Sequence, residues 1–236
     1  MLPATCSPPA PITIGHFAGH ELHSLFNPVL AHASTEMAAR VPGLTLISCE
    51  IEHGVFYAVA TDRYTLGISR HPLPDDQPPT NGSITVPAAT LRRVLAAVRR
   101  RDQLVLSMAM DGLTITLTSE SPLTFHISAS PMDFFIPWRT LMGSKLRMPA
   151  AVQAAPVSMA PSMLARFASA VRDGLPLEFR HLQGKYAPVL VTCGTHFAGL
   201  LMPVRNNTPT TAETSVNPLD TWLSAFPAPD PDSQAA

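Results

Sequence analysis

The sequence predicts an α+β fold in which antiparallel sheets carry helices on one face. Asp111 and Gly112 form a strong hairpin signal between two short apolar runs, 104–108 and 113–118. Pro87 suits the first turn of a helix, because its missing N–H has no partner there in any helix. An apolar stripe at helical spacing follows it, made of Leu91, Val94, Leu95 and Val98. A third observation, an internal repeat, supports the same fold.

The repeat is visible around the predicted helix. Residues of the helix recur 73 positions later in the same order, and the pairs are Leu91 and Leu164, Arg93 and Arg166, Ala97 and Ala170, Val98 and Val171, and Arg99 and Arg172. Each copy is followed by about three short strands. A duplicated unit of strands around a helix is typical of stacked or ring-like architectures.

The remaining elements are predicted from hydrophobic period and from turn residues. Helices are predicted at 20–25, interrupted by Pro28, and at 161–173, ended by Gly174. A turn is predicted at 61–64 and a long loop at 71–82. The other predicted strands are 11–14, 44–51, 55–60, 65–69, 123–128, 177–182, 187–193 and 196–202.

Composition excludes several classes of protein. The chain has 236 residues, of which 46% are hydrophobic and 14% charged, so a disordered chain is excluded. It has no run of about 18 apolar residues, and its first residues lack a secretory pattern, so we expect a cytoplasmic protein. The net charge of −1 excludes a generally basic protein but leaves room for a local basic patch. The three cysteines, Cys6, Cys49 and Cys193, are widely spaced and are expected to be buried thiols.

Catalytic signatures are missing from the sequence. Neither a phosphate-binding loop of the Gly-x-x-x-x-Gly-Lys-Ser/Thr type nor a Gly-x-Ser-x-Gly elbow occurs. His16, His20 and His23 have helical spacing, but a suitably placed Asp or Cys to complete a metal site is lacking. Asp62 is interpreted as a turn former. We therefore expect no enzyme, no cofactor and no metal, with an unrelated small enzyme as the weakest hypothesis.

Three ordered motifs resemble the bacterial DNA sliding clamp, the β subunit of DNA polymerase III. Residues 60–66, Ala-Thr-Asp-Arg-Tyr-Thr-Leu, resemble the clamp's Ala-Thr-Asp-Gly-x-Arg-Leu turn. Residues 135–139, Phe-Ile-Pro-Trp-Arg, resemble its Phe-Pro-Asp-Tyr-Arg segment. Residues 200–205, Leu-Leu-Met-Pro-Val-Arg, resemble its Val-Val-Met-Pro-Met-Arg ending. The three motifs occur in the order of the family, and the whole match covers about residues 11–205.

The resemblance implies a shortened clamp. Residues 11–142 would be one complete clamp-like domain of two βαβββ units, and 156–205 would be half of another. Residues 143–155 are interpreted as a linker, because Pro149 lies within them and Pro156 comes directly after them. Residues 1–10 and 206–236 are predicted to be a flexible arm and a flexible tail from their Pro-rich or polar composition. A half domain leaves sheet edges unpaired, which favours a homo-oligomer.

The family's peptide-binding groove maps onto one set of positions. Leu, Met and Pro side chains suit such a groove, because they form apolar pockets that a short peptide can fill. Arg63 replaces the family's glycine, Ile136 its proline, and Thr65 and Thr140 its arginines. The implied groove residues are Leu44, Thr61, Arg63, Tyr64, Thr65, Leu66, Ile136, Thr140, Leu141, Leu200, Met202, Pro203 and Val204.

Arginines on the predicted helices form the second candidate site. In the family, the corresponding helices line a hole around duplex DNA, and arginines there neutralise phosphates without reading sequence. A solvated helix face is the alternative interpretation. The candidates are Arg92, Arg93, Arg99, Arg100, Arg101, Arg166 and Arg172.

These expectations combine into one function with one alternative. The chain is expected to be a replication or repair accessory protein that binds short apolar motifs of DNA polymerase or other partners and encircles duplex DNA. The alternative is an adaptor or decoy that uses the groove alone. Within the tail, residues 223–226, Leu-Ser-Ala-Phe, resemble the peptides that clamp grooves bind, without their usual Gln, so self-docking is a further hypothesis.

Overall fold

The computed structural model describes residues 10–35, 41–74, 81–131, 135–151, 158–184 and 187–204. Cys6, nearly all of the predicted arm and the predicted tail with its peptide-like segment lie outside these residues. The described part forms two antiparallel sheets that pack with helices, as the sequence predicts.

The helices and strands have these bounds. The helices are α1 Gly19–Leu30, α2 Ala88–Ala97, α3 Trp138–Leu146 and α4 Pro161–Leu164, which continues as a 3₁₀ helix over Ala165–Ala170. A further 3₁₀ helix covers Pro42–Thr45. The strands are β1 Ile12–Ala18, β2 Leu46–Glu52, β3 Val55–Thr61, β4 Thr65–Pro72, β5 Gly82–Pro87, β6 Gln103–Ala109, β7 Gly112–Leu117, β8 Thr124–Ser128, β9 Glu178–His181, β10 Val189–Cys193 and β11 Phe197–Leu201.

The larger sheet has seven strands in the order β5-β2-β3-β4-β11-β10-β9. At its centre β4 pairs with β11, from Thr65 opposite Leu201 to Ser69 opposite Phe197. Strands from 11–142 and from 156–205 therefore share one hydrogen-bonded sheet. Gly199 lies at this junction, where an added Cβ would meet the Leu66 carbonyl oxygen at 2.5 Å.

The smaller sheet has four strands in the order β1-β6-β7-β8. The hairpin between β6 and β7 turns at Met110 and Asp111, with Ala109 paired to Gly112, so the predicted hairpin is confirmed and its turn lies one residue earlier than the Asp-Gly pair. Gly112 is required there, because an added Cβ would lie 2.1 Å from the Ile127 carbonyl oxygen on β8. Buried and less buried residues alternate along β6 and β7, so one face of this sheet packs against the core.

Both faces of the seven-stranded sheet are covered by helices. Phe26 of α1 packs edge to face on Phe56 of β3, with 6.1 Å between ring centroids. Trp138 of α3 packs instead on Tyr57, the next residue of β3, with 5.4 Å between centroids. Because successive strand residues point to opposite faces, α1 and α3 lie on opposite sides of the sheet, whereas the sequence predicts helices on one face. The apolar cluster around α3 also forms one wall of a cavity.

Several predicted elements differ from the structure. Helix α1 continues through Pro28 to Leu30, because its buried face outweighs the roughly 3 kcal/mol that an internal proline costs. Both ends of the predicted loop at 71–82 belong to strands, since β4 extends to Pro72 and β5 begins at Gly82. The sequence analysis predicts neither β5 nor α3. The predicted helix at 161–173 is shorter and mostly 3₁₀. The last turn of α3 falls within the predicted linker 143–155.

Helix α2 ends before three of the arginines that the sequence analysis places on it. Val98 is buried and extended, so Arg99, Arg100 and Arg101 lie beyond the helix end. Asp102 accepts a 2.7 Å hydrogen bond from the Arg99 amide, and this contact closes the turn. The prediction that these three arginines lie on the helix is therefore wrong, although all three are exposed.

Candidate functional site

An apolar cavity of about 490 Å³ lies where β4, β11 and α3 meet. Ten of the thirteen predicted groove residues line it: Leu44, Thr61, Arg63, Tyr64, Thr65, Leu66, Ile136, Leu141, Leu200 and Met202. The positions are up to 158 residues apart in the chain (202 minus 44), so the fold alone brings them together.

Three predicted groove residues do not line the cavity, and five others do. Thr140 lines a neighbouring cavity of about 480 Å³ on the other side of Ile136. Pro203 and Val204 follow β11 outside the lining. The residues that sequence reasoning missed are Val41, Gly43, Phe135, Lys145 and Pro188. Phe135 lies just before α3 and Lys145 lies within it, so a correct prediction of this helix would have pointed to both residues.

The rim of the cavity is formed by the tight turn between β3 and β4. Asp62 Oδ1 accepts hydrogen bonds from the backbone amides of Tyr64 (3.0 Å) and Thr65 (2.8 Å). Arg63 has a φ of 81°, which costs a non-glycine residue about 1 kcal/mol. The turn holds Tyr64 outwards, with 57% of its surface exposed at the mouth of the cavity. Asp62 is thus the turn former that the sequence predicts.

Asp62 also ties this turn to the last unit of the chain. Arg166 forms an ion pair with Asp62 and donates a 3.0 Å hydrogen bond to Thr65 Oγ1. Burial alone would raise the pKa of Asp62, but the hydrogen bonds and charge of Arg166, together with hydrogen bonds from Thr65, hold it below its usual range. Asp62 is therefore ionised at neutral pH, and the ion pair stabilises the rim.

The far wall of the cavity depends on how α3 is anchored. Glu50 of β2 accepts a 2.8 Å hydrogen bond from Trp138 Nε1 and pairs with Arg139 at 3.0 Å. Arg139 also pairs with Glu52 at 3.0 Å and lies 4.1 Å over the Trp138 ring. These contacts fix the first turn of α3 on the sheet and so place Leu141 in the wall.

The predicted DNA-facing arginines fall into two groups. The first group forms contacts within the protein. In this group, Arg92 Nη2 donates a 2.6 Å hydrogen bond to the Leu30 carbonyl oxygen. Arg166 is paired with Asp62, and Arg172 lies 3.2 Å from Asp173. The exposed group, with side chains towards solvent, comprises Arg93, Arg99, Arg100 and Arg101.

A second, more polar cavity of about 970 Å³ lies on the other side of the Asp62 turn. Arg92 and Arg166 line it together with Asn27 of α1. It shares Arg63 and Tyr64 with the apolar cavity. The turn is thus a common wall between an apolar and a polar recess.

The histidine and cysteine predictions have clear outcomes in the described residues. His16 lies on β1 rather than on the helix, so the expected helical spacing with His20 and His23 does not exist. A group of three potential metal ligands does not occur within the described residues. Cys49 and Cys193 are free and buried, as expected, and burial raises the pKa of the Cys49 thiol. No helix in the described ranges is both long enough and apolar enough to span a membrane.

Comparison with solved structures identifies the fold. A putative DNA polymerase III beta subunit from Eubacterium rectale matches with a TM-score of 0.62 at 10% identity, over 87% of this chain and 68% of that chain. A beta chain from Streptococcus pneumoniae matches at 0.61 and 15% identity, over 86% and 67%. A sliding clamp from Pseudomonas aeruginosa, solved with a ligand, matches at 0.58 and 16% identity, over 86% and 70%. Neither a protein-family model nor a curated protein matches the chain.

These matches define the fold of the chain. The chain has the fold of DNA sliding clamps, with strands and helices in the clamp arrangement. The chain spans about two thirds of the length of the clamps that it matches.

Proposed function

We propose that this chain is a sliding-clamp-like accessory protein of DNA replication or repair, acting in the cytoplasm without catalysis. It binds short apolar peptide segments of a DNA polymerase or other partners in the cavity at β4, β11 and α3, and it encircles duplex DNA as a homo-oligomer. The observation that carries the proposal is the apolar cavity of about 490 Å³ on a clamp fold.

The lining suggests what kind of peptide would bind. The cavity volume falls in the range of small-ligand sites, which suits two large apolar side chains. Met202 is 38% exposed at the mouth and can adapt its shape to different anchors. Arg63 and Lys145 are the charged residues of the lining, and both are cationic. A peptide with apolar anchors beside a carboxylate is therefore the favoured ligand.

Peptide titration tests the groove. The probe is fluorescein-labelled Gln-Leu-Ser-Ala-Phe with a free C-terminal carboxylate, and the matched control peptide is Gln-Ser-Ser-Ala-Ser. We expect a Kd of about 10 to 100 µM for the first peptide, and at least tenfold weaker binding for the second, which lacks both anchors. The same titration on a Leu223→Ser, Phe226→Ser variant excludes competition from the chain's own Leu-Ser-Ala-Phe segment. Equal binding of both peptides would reject the proposal.

DNA binding is expected to depend on the exposed arginines. Replacing Arg99 and Arg100 by Ser should weaken binding to a 30-base-pair duplex about tenfold at low salt. The plot of log K against log salt concentration should become shallower, its negative slope decreasing in magnitude by about 2, because two phosphate contacts are lost. The matched control replaces Arg70 of β4 and Arg147 at the end of α3, two exposed arginines on other elements, and should bind like the unchanged protein. Equal effects of the two double variants would mean non-specific charge attraction.

Encirclement needs a topological measurement. A ring loaded on a nicked circular plasmid should stay bound at high salt and dissociate when the plasmid is cut. If the peptide binds and the protein is not retained on circles, the adaptor interpretation replaces the clamp interpretation.

A further inference from the structure

The polar recess of about 970 Å³ adjoins the apolar cavity across the Asp62 turn. Leu44, Arg63 and Tyr64 line both of them. The Ser34 amide donates a 2.7 Å hydrogen bond to the Leu44 carbonyl oxygen, which fixes the segment after α1 against this shared wall. A peptide anchored in the apolar cavity can therefore continue over the wall into the recess.

The recess carries an excess of positive charge. The described residues that line it include three arginines, Arg63, Arg92 and Arg166, and one acid, Asp62. Asp62 is paired with Arg166, so two guanidinium charges remain unbalanced within the lining. The C-terminal end of α1, which bears a partial negative charge of about one half, also meets Arg92, and the net charge is still positive when this end is counted. The recess therefore attracts an anionic group.

The two inner arginines are held in place by the fold. Within the described part of the chain, Arg92 uses only Nη2 for its hydrogen bonds to carbonyl oxygens at the end of α1. Arg166 likewise uses only Nη1 for its contacts with Asp62 and Thr65. The remaining guanidinium nitrogens can donate to a carboxylate without breaking these bonds. Binding would also cost little side-chain entropy, because both side chains are already fixed.

The opposite end of the apolar cavity has a different charge balance. The neighbouring cavity of about 480 Å³ lies across Ile136, and its described lining includes the charged residues Glu50 and Arg139. These two form an ion pair at 3.0 Å, and Arg139 pairs with Glu52 as well. The arginine there is balanced by carboxylates, so an acidic group is favoured only at the end that opens into the recess.

We propose that the polar recess is a subsite for acidic side chains of the peptide that binds in the apolar cavity. The inference rests on the proposed function of that cavity. The partner segment then has two apolar anchors and, on one side of them only, a pair of glutamates or aspartates. The anchors fill the cavity, and the acidic pair crosses Tyr64 and meets Arg63, Arg92 and Arg166. Arginine clusters of this kind are suited to acidic motifs.

The shape of the recess favours a peptide over duplex DNA. Arg166 lies within the concave lining, where its side chain is 30% exposed, and Arg92 is half-buried against α1. A duplex presents its phosphates on a convex surface, which meets protruding arginines such as Arg99 and Arg100 more readily. A single carboxylate on a flexible side chain can enter a concave site.

Peptides extended at one end test the subsite. The first pair is fluorescein-labelled Glu-Glu-Ser-Gln-Leu-Ser-Ala-Phe and Gln-Leu-Ser-Ala-Phe-Ser-Glu-Glu, both with amidated C-termini. The matched pair carries glutamine in place of both glutamates. At about 50 mM salt we expect one glutamate peptide to bind about fivefold more tightly than its glutamine counterpart, and the other less than twofold. The gain should largely disappear at about 500 mM salt, because salt screens the attraction.

Substitutions in the recess test its location. Ser169 lines the recess and not the apolar cavity, so Ser169→Asp adds a carboxylate only where the glutamates are expected. This variant should lose the fivefold gain and bind the glutamine peptides normally. Asn27→Asp, a change of nearly equal size on α1, should act in the same way. The control is Ser162→Asp, which adds the same charge at an exposed position that lines neither cavity, and it should keep the gain.

The outcomes separate this inference from the proposed function. If the glutamine peptides bind and the glutamates add nothing, or add equally at both ends, the subsite is rejected and the peptide groove stands. If none of the four peptides binds, the groove itself fails, and the subsite fails with it. If the glutamates add nothing and Ser169→Asp weakens binding to a 30-base-pair duplex more than Ser162→Asp does, the recess is a phosphate site for DNA instead.

Discussion

Replacing Leu141 by aspartate should weaken binding of the apolar peptide at least tenfold. Leu141 belongs to the apolar cluster around α3 and lines the cavity. An apolar anchor that packs against a carboxylate would have to displace its hydration water and would lose the apolar contact with Leu141. About 1.5 to 3 kcal/mol of binding free energy is therefore lost. Fluorescence anisotropy with labelled Gln-Leu-Ser-Ala-Phe measures the change in Kd.

The control for this variant lies on the same helix. Leu146 is 50% exposed and does not line the cavity, so Leu146→Asp makes the same chemical change outside the groove. We expect its Kd to match that of the unchanged protein, and thermal unfolding should confirm that both variants fold. Should Leu141→Asp bind the peptide normally while folded, the cavity is not the peptide site.

The free energy of unfolding should fall by about 3 kcal/mol between pH 7.5 and pH 4 because of His32, since each pKa unit corresponds to about 1.36 kcal/mol. His32 is fully buried, and burial, followed by the charge of Arg166, lowers its pKa from 6.5 to about 4, against a smaller opposing effect of Asp62. Neither ring nitrogen has a hydrogen-bond partner in the described part of the chain. The unfolded chain binds a proton at higher pH than the folded chain, so stability is full above pH 6.5 and decreases as the pH falls towards 4.

Urea denaturation at several pH values measures this loss, and His32→Leu isolates it. The variant has no titratable side chain at position 32. Between pH 7.5 and pH 4, its free energy of unfolding should therefore fall by about 3 kcal/mol less than that of the unchanged protein. Burial also lowers the pKa of His71 and contributes in the same direction, but this contribution is common to both proteins. The pKa of Asp62 is held below its usual range, so that carboxylate titrates at lower pH. Parallel stability curves for the two proteins would show that His32 does not cause the pH dependence.

The order of strands and helices in the first half of the chain could be predicted largely from local sequence. The hairpin at Asp111 and the apolar stripe of α2 depend on residues that are neighbours in the chain, so period and turn chemistry suffice. Helix α3 was missed because its nine residues include Gly143 and Ser144 and bury chiefly Trp138 and Met142. Its anchoring by Glu50 involves a residue 88 positions away.

Much of the lining of the apolar cavity could also be predicted, because three motifs occur in the order of the clamp family. The turn at Asp62 is local and was interpreted correctly. The roles of Arg92 and Arg166 could not be predicted, since a sequence pattern does not distinguish an arginine that faces solvent from one that an acidic or carbonyl partner engages. Arg166 meets Asp62 across 104 positions of the chain.

The sequence by itself determined the α+β class, the turns and the amphipathic α2, because these depend on interactions between near neighbours. Only the tertiary structure decided that β4 and β11 join two units in one sheet and that α3 closes the cavity. These features depend on pairing between distant segments, whose register and packing are set by the whole core rather than by any local pattern.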